Sequence, residues 1–533
     1  MSAVSEARSE LISTNPADGS EVGRVQISPP EEVSGAVAHG RDVFERWKRT
    51  PFAERKRLVM RAREVIVAEM DDIALLISQE SGKPVAEALS LEIAPVLDLM
   101  QWIARSAEKM LRPRRVGIGL FSLMGRSSRV IYHPLGVIGI IPAWNYPFSI
   151  PLGEAAMAVM AGNTVVIKPS ELTPFVGLKI GEIFEKSGFP KDVVQIISGA
   201  GETGAALVAA QPDKIVFTGS LTTGRKILAT AAENLTPVVL ELGGKDPMIV
   251  FEDADMEMAA DAAVWGAFCN SGQNCSAVER LYVQKDAAEE LTALIVERTK
   301  RLVQGPGDGE DVSIAAMSSE RQIRIVEQHV DYFCEAGAEA LVGGKRAEVE
   351  GLENDGQNLF FQPTVITGAT NDMRPMREET FGPILPIATF TTEEEAIALA
   401  NDSDYGLTAS VWTRDYAKGR RVAEQIEAGT VCINEVLYTH GIGQTPWGGF
   451  KKSGLGRTHG LEGLMELVKP QHIHTNRIAL LPDAWWMPYS PTATETFRQF
   501  ATKFATGSLF KTASMLPQLL RRIKELLKNR QQS

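Results

Sequence analysis

Apolar residues recur at three- and four-residue intervals from about residue 30 to 111, through EEVSGAVAHGRDVFERW and AERKRLVMRAREVIVAEMDDIALLISQESGKP. That period lines one face of a helix, so the region is predicted to be helical, with Gly82 and Pro84 as stop signals. Past the basic patch Arg112 to Arg115 the pattern changes. RSSRVIYHP reads as a strand, and short β-branched apolar runs follow: VIGIIPAW (137–144), NTVVIKPS (163–170), VVQIIS (193–198), KIVFTGS (214–220) and PVVLELGG (237–244). Helix-like stretches such as IPLGEAAMAVMA and GLKIGEIFEKSG separate them. Buried-type strands alternating with helices predict a parallel sheet covered on both faces, here a Rossmann-like α/β domain, and make a dinucleotide the ligand to test. From PMIVFEDAD at 247 a second α/β set runs through RLYVQKD, a helix to about 302 and the Gly-rich VQGPGDGED loop, ending near 440.

The tail departs from this pattern. Residues 490–533 hold eight Lys or Arg, at 498, 503, 511, 521, 522, 524, 528 and 530, against Glu495 and Glu525. Leu516, Leu519, Leu520, Ile523, Leu526 and Leu527 follow helical spacing and form an apolar stripe beside this basic face, with Trp485, Trp486 and Tyr489 just before it. Two readings stand: packing on the protein's own body or a neighbouring subunit, and peripheral attachment to an anionic membrane.

The whole chain of 533 residues carries a net charge of −12, so the tail's +6 leaves about −18 on the rest. An acidic body argues against a nucleic-acid partner, because neutralising phosphates requires clustered cations. With 44% apolar and 23% charged residues the composition is that of an ordinary globular protein, long enough for two or three domains. Cys269, Cys275, Cys334 and Cys432 make neither a disulfide framework nor a CxxC metal pair, so no metal is expected. The N-terminal segment lacks the apolar core of a secretory signal, and no apolar run approaches a membrane span, so the expected compartment is the cytoplasm.

Several segments have the residue types that chemistry needs. FCNSGQNCSAVER holds Cys275 among small and amide residues, where a thiolate could attack a carbonyl carbon beside backbone amides. A lone loop cysteine is more often an inert small residue, and Cys269 is read that way. ELGGKDP puts Glu241 at the end of a buried-type strand, as either a base of raised pKa or a capped structural acid. Asn145 in PAWNYP either stabilises an oxyanion or merely makes the turn. Lys168 and Glu171 in VVIKPSE suit ribose hydroxyls, and Gly219, Ser220 and Gly224 in FTGSLTTGRK form a turn suited to a pyrophosphate.

In order and over roughly residues 12–475, these segments resemble the aldehyde dehydrogenase superfamily. Glu241 and Cys275 lie 34 positions apart, and EETFGP (378–383) and PWGGFKKSGLGR (446–457) are similar to family signatures. The resemblance implies a nucleotide-binding domain over 1–117 and 135–246, a catalytic domain over 247–440, oligomerisation strands at 118–134 and 462–478, and the extension 479–533. It implies Cys275 as nucleophile, Glu241 as base and Asn145 as oxyanion donor. It assigns cofactor contacts to Ile141, Trp144, Lys168, Glu171, Gly219, Ser220, Gly224, Leu242, Glu379 and Phe381, and substrate contacts to Tyr146, Ser149, Gly153 and Trp447. Phe148 and Phe450 belong to segments that flank the substrate tunnel in the family. A carboxylate at 171 repels a 2′-phosphate, so NAD is favoured; NADP stays open because Lys168 can reach a phosphate. The expected partners are a small-molecule aldehyde and further copies of the chain, as dimer or tetramer.

Two segments depart from the family pattern. GRTHG places Thr458 where relatives often carry a glutamate, which leaves Glu241 without a second acid. Gly153 and Glu154 replace a bulky aromatic and a lysine, implying a wider substrate tunnel and no arginine for a distal carboxylate. An apolar aldehyde is therefore expected, with succinic semialdehyde as the alternative. A non-catalytic NAD-binding protein would lose Cys275, Glu241 or Asn145, and a CoA-acylating enzyme would lose the base; none is lost.

Overall fold

The structure, a computed structural model, describes residues 9–123, 125–349, 352, 358–478, 481–507, 510 and 513–532. The first eight residues of the N-terminal segment and Lys511 of the basic tail lie outside the described residues. The chain forms two compact units, Met1–Met110 with Pro134–Val468, and Leu111–His133 with Lys469–Ser533.

The larger unit opens with an antiparallel pair, β1 (Glu10–Thr14) and β2 (Glu21–Gln26), ahead of the region where the periodicity is first clear. Helices follow, including Pro30–Trp47, Phe52–Ala68, Met70–Ser81 and Ala94–Met110. Gly82 ends the third of these in the left-handed conformation, φ +83°, where a side chain would be strained.

The first sheet contains β5 (Val137–Ile141), β6 (Thr164–Ile167), β7 (Val194–Ile196), β8 (Lys214–Thr218) and β9 (Val238–Glu241), all parallel. Their spatial order, with the short edge strand β17 (Gly454–Leu455), is β17-β9-β8-β5-β6-β7. The direction of winding reverses between β5 and β8, and ligands bind at such a switch point outside the carboxyl ends of the strands. Helix Ser149–Ala161 is buried along its whole length, as its continuous apolar sequence requires.

The second sheet has the order β12-β13-β14-β11-β10-β15-β16. These strands are β10 (Asp246–Val250), β11 (Val278–Gln284), β12 (Glu339–Val342), β13 (Thr364–Thr367), β14 (Ile384–Phe390), β15 (Thr408–Trp412) and β16 (Thr430–Ile433). Only the edge pair β12–β13 is antiparallel. Alternate side chains feed two cores: Ile249 and Tyr282 on one face, Met248, Val250, Leu281 and Val283 on the other. A sheet buried on both faces explains why these strands read as unbroken apolar runs. After this sheet the chain returns, through PWGGFKKSGLGR, to pair Gly454 with Glu241 and Leu455 with Leu240.

The smaller unit carries a sheet of order β18-β4-β3, with β3 (Arg114–Val116), β4 (Arg126–Pro134) and β18 (Val468–Asn476). Two boundaries change. The basic patch itself supplies β3, and the strand expected from 462 begins only at Val468, because Gly460–Met465 is helical. In the tail, helices Pro491–Phe504 and Leu516–Gln532 pack together. The predicted stripe is divided: Leu519 and Leu526 are buried within the unit, whereas Leu516 and Leu520 are exposed. Arg522 is fully buried, and its guanidinium donates to the carbonyls of Ala484, Trp486 and Pro488 and pairs with Glu525. No helix among the described residues is long and apolar enough to cross a membrane.

Candidate active site

A cleft of about 700 Å³ opens at the carboxyl ends of β5, β6, β8 and β9. It is lined by twelve of the residues singled out in the sequence: Ile141, Trp144, Asn145, Lys168, Glu171, Gly219, Ser220, Glu241, Leu242, Cys275, Glu379 and Phe381. Ser220 caps helix Leu221–Glu233, its Oγ accepting from the Thr223 N–H at 3.3 Å, so the positive end of that helix faces the cleft. Lys168 is buried, which lowers its pKa; its Nζ donates to the Gly199 carbonyl at 3.0 Å and lies 3.7 Å from Glu171.

The loop that carries Cys275 is held in an unusual conformation. Asn270, Ser271 and Gly272 are consecutive left-handed residues, with φ between +53° and +71°. Such backbone persists only where surrounding contacts fix it. The Asn270 N–H donates to Glu87 at 2.9 Å, and its Nδ2 donates to the carbonyls of Asn145 and Gln273, each at 3.1 Å. Ser271 Oγ donates to the Ala315 carbonyl at 2.8 Å, and Gln273 Oε1 accepts from the Ser318 N–H at 2.9 Å. Asn145 Nδ2 also donates to the Gln273 carbonyl, at 3.0 Å. Asn145 and the cysteine loop are thereby locked together.

Cys275 is half-buried, with Sγ 3.9 Å from Asn274 Oδ1. Burial and the carboxylates of Asp246, Glu379 and Glu241 push its pKa far up, so the resting residue is a thiol. Glu241 is buried, and neither carboxyl oxygen has a hydrogen-bond partner. Burial, then the neighbouring Glu154, raise its pKa well above the usual carboxylate range, partly offset by Arg457. Glu379 accepts from the Gly244 N–H at 2.9 Å, and burial with the charge of Glu279 pushes its pKa up to about 8. Phe381, left-handed at φ +52°, is held by its N–H donating to Glu279 at 2.7 Å, and its ring meets Trp144 edge to face.

A second, narrow space of about 40 Å³ meets Cys275 and is lined by Leu91, Pro95, Tyr146, Ile150, Tyr438 and His440, among others. Of the four expected substrate residues, Tyr146 alone is there. Ser149 is instead buried at a helix start, donating its N–H to Glu92 at 3.1 Å. Gly153 does not widen the tunnel: Leu99 fills the space beside it, and a Cβ on Gly153 would stand 2.7 Å from Leu99. Trp447 sits behind His440, with ring centroids 4.9 Å apart and backbone bonds to Thr458 on its other side. Phe148 is fully buried, whereas Phe450 is exposed away from this space. Gly224 does not line the cleft either; it lets helix Leu221–Glu233 approach Leu242. At Thr458 no carboxyl is available to Glu241, while the charge of Glu154 contributes to its raised pKa.

Sequence reasoning missed the groups beneath the site. Lys83 is fully buried, donating to Glu92 at 2.6 Å and to the Asn145 carbonyl at 2.7 Å, with Nζ 4.1 Å from the Tyr146 ring centroid. The other Glu92 oxygen accepts the N–H of Phe148 at 2.8 Å. Lys245 pairs with Glu279 at 2.6 Å, beneath the Thr380–Phe381 turn. Gln322 lines the cleft and donates to the Thr380 carbonyl at 2.8 Å. No cluster of potential metal ligands occurs among the described residues.

The architecture is that of an α/β protein with two parallel-type sheets, in which one cysteine, Cys275, lines both the cleft at the switch point and the narrow space. The chain belongs to the aldehyde dehydrogenase family, whose sequence model matches residues 3–473. It is 40% identical over 490 residues to the 4,4′-diapolycopene aldehyde oxidase of Methylomonas sp, covering 92% of this chain and 90% of that protein. It is 37% identical to the betaine aldehyde dehydrogenase of Bacillus subtilis, covering 87% and 93%. Among solved structures, an NAD-dependent aldehyde dehydrogenase from Sinorhizobium meliloti is similar with a TM-score of 0.84 and 36% identity, covering 90% of this chain and 93% of that one. Betaine aldehyde dehydrogenase from Staphylococcus aureus in complex with NAD+ has a TM-score of 0.84 and 33% identity, covering 92% and 95%.

Proposed function

We propose that the chain oxidises an apolar aldehyde to its carboxylic acid, with Cys275 as nucleophile, Glu241 as base and NAD as hydride acceptor. One observation carries this reading: of the residues around the cleft and the narrow space, Cys275 alone lines both. Sγ attacks the carbonyl carbon while its proton passes to Glu241. The resulting thiohemiacetal oxyanion is met by the Asn145 amide and the Cys275 N–H. NAD held by Lys168, Glu171 and the Ser220-capped helix start would supply the hydride acceptor that conversion of the thiohemiacetal to the thioester requires. Glu241 first releases the thiol's proton to solvent and then takes one from water, whose oxygen attacks the thioester; the carbon–sulfur bond breaks, the acid leaves and the proton on Glu241 restores the thiol.

The cleft has the groups that NAD requires. The Ser220-capped helix start suits the pyrophosphate, and Lys168 with Glu171 suits the adenosine ribose. The Glu171 carboxylate disfavours a 2′-phosphate, although Lys168 and Lys226 line the same cleft and keep NADP as the alternative. The three-stranded sheet of the smaller unit is the surface we assign to self-association, as dimer or tetramer.

The substrate reading rests on the narrow space, which has no lysine or arginine among its lining residues. A distal carboxylate there would be buried without a cationic partner, and the narrowness favours a slender chain or flat ring over a trimethylammonium head. Its resemblance to a relative that acts on diapolycopene aldehyde points the same way. Hexanal and benzaldehyde should exceed succinic semialdehyde in kcat/KM by about 100-fold, the cost of one unpaired buried polar group. A preference for succinic semialdehyde or betaine aldehyde in an NADH-absorbance assay overturns the reading.

The tail supports a finer proposal on partners, attachment to an anionic membrane surface. Trp486, Met487, Tyr489, Phe504, Phe510, Leu516 and Leu520 are exposed within the smaller unit, and so are Arg521, Lys524 and Lys528. Apolar side chains beside a basic face favour an anionic bilayer, where each cation contributes about 1 kcal/mol. The full chain should float with phosphatidylserine-containing liposomes. Changing Arg521, Lys524 and Lys528 together to Gln should weaken binding about 100-fold. Failure of the full chain to float, or unchanged flotation after truncation at residue 484, defeats the proposal.

A further inference from the structure

Tyr146, Asn274 and Ser276 line the narrow space beside Cys275, and the proposed reaction makes no use of the bonds among them. The turn PAWNYP and the cysteine loop are tied twice, at consecutive positions on each segment. Asn145 Nδ2 donates to the Gln273 carbonyl at 3.0 Å, and Asn274 Nδ2 donates to Tyr146 Oη at 2.9 Å. The second tie fixes a side chain. Asn274 is buried, and its Oδ1 accepts the Ser276 N–H at 3.1 Å and the Ser276 hydroxyl at 3.0 Å, with Cys275 Sγ 3.9 Å away. A backbone N–H can only donate, so the Ser276 contact decides how the amide stands: oxygen toward Ser276 and the sulfur, nitrogen toward Tyr146. Tyr146 must then accept. Its ring is buried with Lys83 Nζ 4.1 Å from the centroid, and burial, followed by the nearby Cys269 and Glu87, raises its pKa well above the ordinary phenol value.

We propose that Tyr146 and Asn274 are positioning residues for the nucleophile: the Tyr146 hydroxyl anchors the Asn274 amide, whose oxygen holds the resting Cys275 thiol and opposes its thiolate. This rests on the reading of Cys275 as the nucleophile. An amide oxygen accepts from S–H but carries the wrong partial charge for a bare sulfur anion, so its place beside Sγ favours the protonated form. It works in the same sense as burial of the thiol and the carboxyl groups of Asp246, Glu379 and Glu241. Unlike burial, it has a direction. A sulfur that loses its proton is repelled from Asn274 and turns into the junction of the cleft and the narrow space. Both donors of Ser276 are bound to the same oxygen, so neither is free to solvate a thiolate. Without the Tyr146 hydroxyl the amide nitrogen becomes a buried donor with no acceptor, and the amide turns to find one. Its oxygen then leaves the sulfur.

The test is the rate at which iodoacetamide alkylates Cys275 in the full chain without aldehyde, followed by mass spectrometry of the peptide that contains it, so that the exposed Cys334 does not contribute. In Asn274→Ala the rate at a fixed pH should rise about 10-fold, equivalent to about one pH unit, because the acceptor that favours the thiol is gone. Tyr146→Phe keeps the ring beside Lys83 and removes the anchor. Its rate should rise several-fold, and the double variant should be no faster than Asn274→Ala, since Tyr146 acts through Asn274. A rate that either single variant leaves at the wild-type value overturns the proposal; in Tyr146→Phe, with KM for hexanal raised, it marks the ring as a simple substrate contact. Additive effects in the double variant overturn it too. Alkylation of Cys275 that leaves aldehyde turnover intact is a different failure, which removes the nucleophile itself. Infrared difference spectra between wild type and Cys275→Ala cover the case in which the 146 and 274 variants do not fold. The S–H stretching band lost in Cys275→Ala should lie on the hydrogen-bonded side of a free thiol's; a band at the free-thiol position overturns the proposal.

Discussion

Replacing Cys275 with alanine is expected to lower NADH formation by at least about 10⁴-fold for every aldehyde, with the fold and cofactor binding retained. The size of the effect follows from the absence of any substitute nucleophile at the junction of the two spaces. Cys269, the nearest cysteine in sequence, is buried and lines neither space, and its thiol pKa is raised by burial and by Glu87. The loop should survive the change, because Asn270, Ser271, Gln273 and Asn274 hold it through their own side chains. Sγ contributes a single long contact to Asn274, which alanine forfeits at little cost. Stopped-flow absorbance should show no NADH burst, while quenching of tryptophan fluorescence by NAD should persist. Residual turnover within 100-fold of wild type would remove Cys275 from the covalent role.

What the sequence made legible divides along a physical line. Strand runs such as Val137–Ile141 and Asp246–Val250 were readable because a parallel sheet buries both faces, leaving continuous apolar segments between helices. Cleft residues were readable for a related reason: Lys168, Ser220 and Glu241 follow or end those strands, where the fold places its ligand edge. The narrow space was not. Gly153 in the sequence suggests room, yet Leu99 fills it from a helix some fifty residues earlier, and only the packing of the two helices reveals this. Trp447 is similarly displaced by His440. Local periodicity has no information about which distant side chain occupies a gap.

The tail shows an intermediate case. Its helical stripe was correctly spaced, but spacing cannot tell which of its residues meet the protein and which meet solvent. Arg522, counted with the cations of a basic face, is instead the most buried charge of the smaller unit, consumed by backbone carbonyls. The exposed cations nearby are therefore fewer than composition implies. Glu154 is the converse: a substitution noted for the missing lysine, whose significance depends on a neighbour 87 positions away.

The second large effect is expected from Lys83, which makes no contact with the reacting atoms. Lys83→Met should cost about 3–5 kcal/mol of stability, because it leaves Glu92 charged and enclosed without its cation. The loss extends to the site by direct contacts. Lys83 supports the Asn145 carbonyl, and Glu92 accepts the N–H groups of Phe148 and Ser149 at the start of the helix that carries Glu154. Asn270 shares the same Asn145 carbonyl, so a shift there reaches the left-handed turn before Cys275. Denaturant titration of the first unfolding transition should therefore fall together with kcat. The double variant Lys83→Met with Glu92→Leu separates the two consequences. Removing both charges spares the cost of an orphaned carboxylate and should recover part of the stability, since an apolar replacement of a buried pair is often neutral. Activity should stay low, because neither the Asn145 carbonyl nor the helix start regains its partner. Recovery of full activity alongside stability would show that the pair serves packing alone.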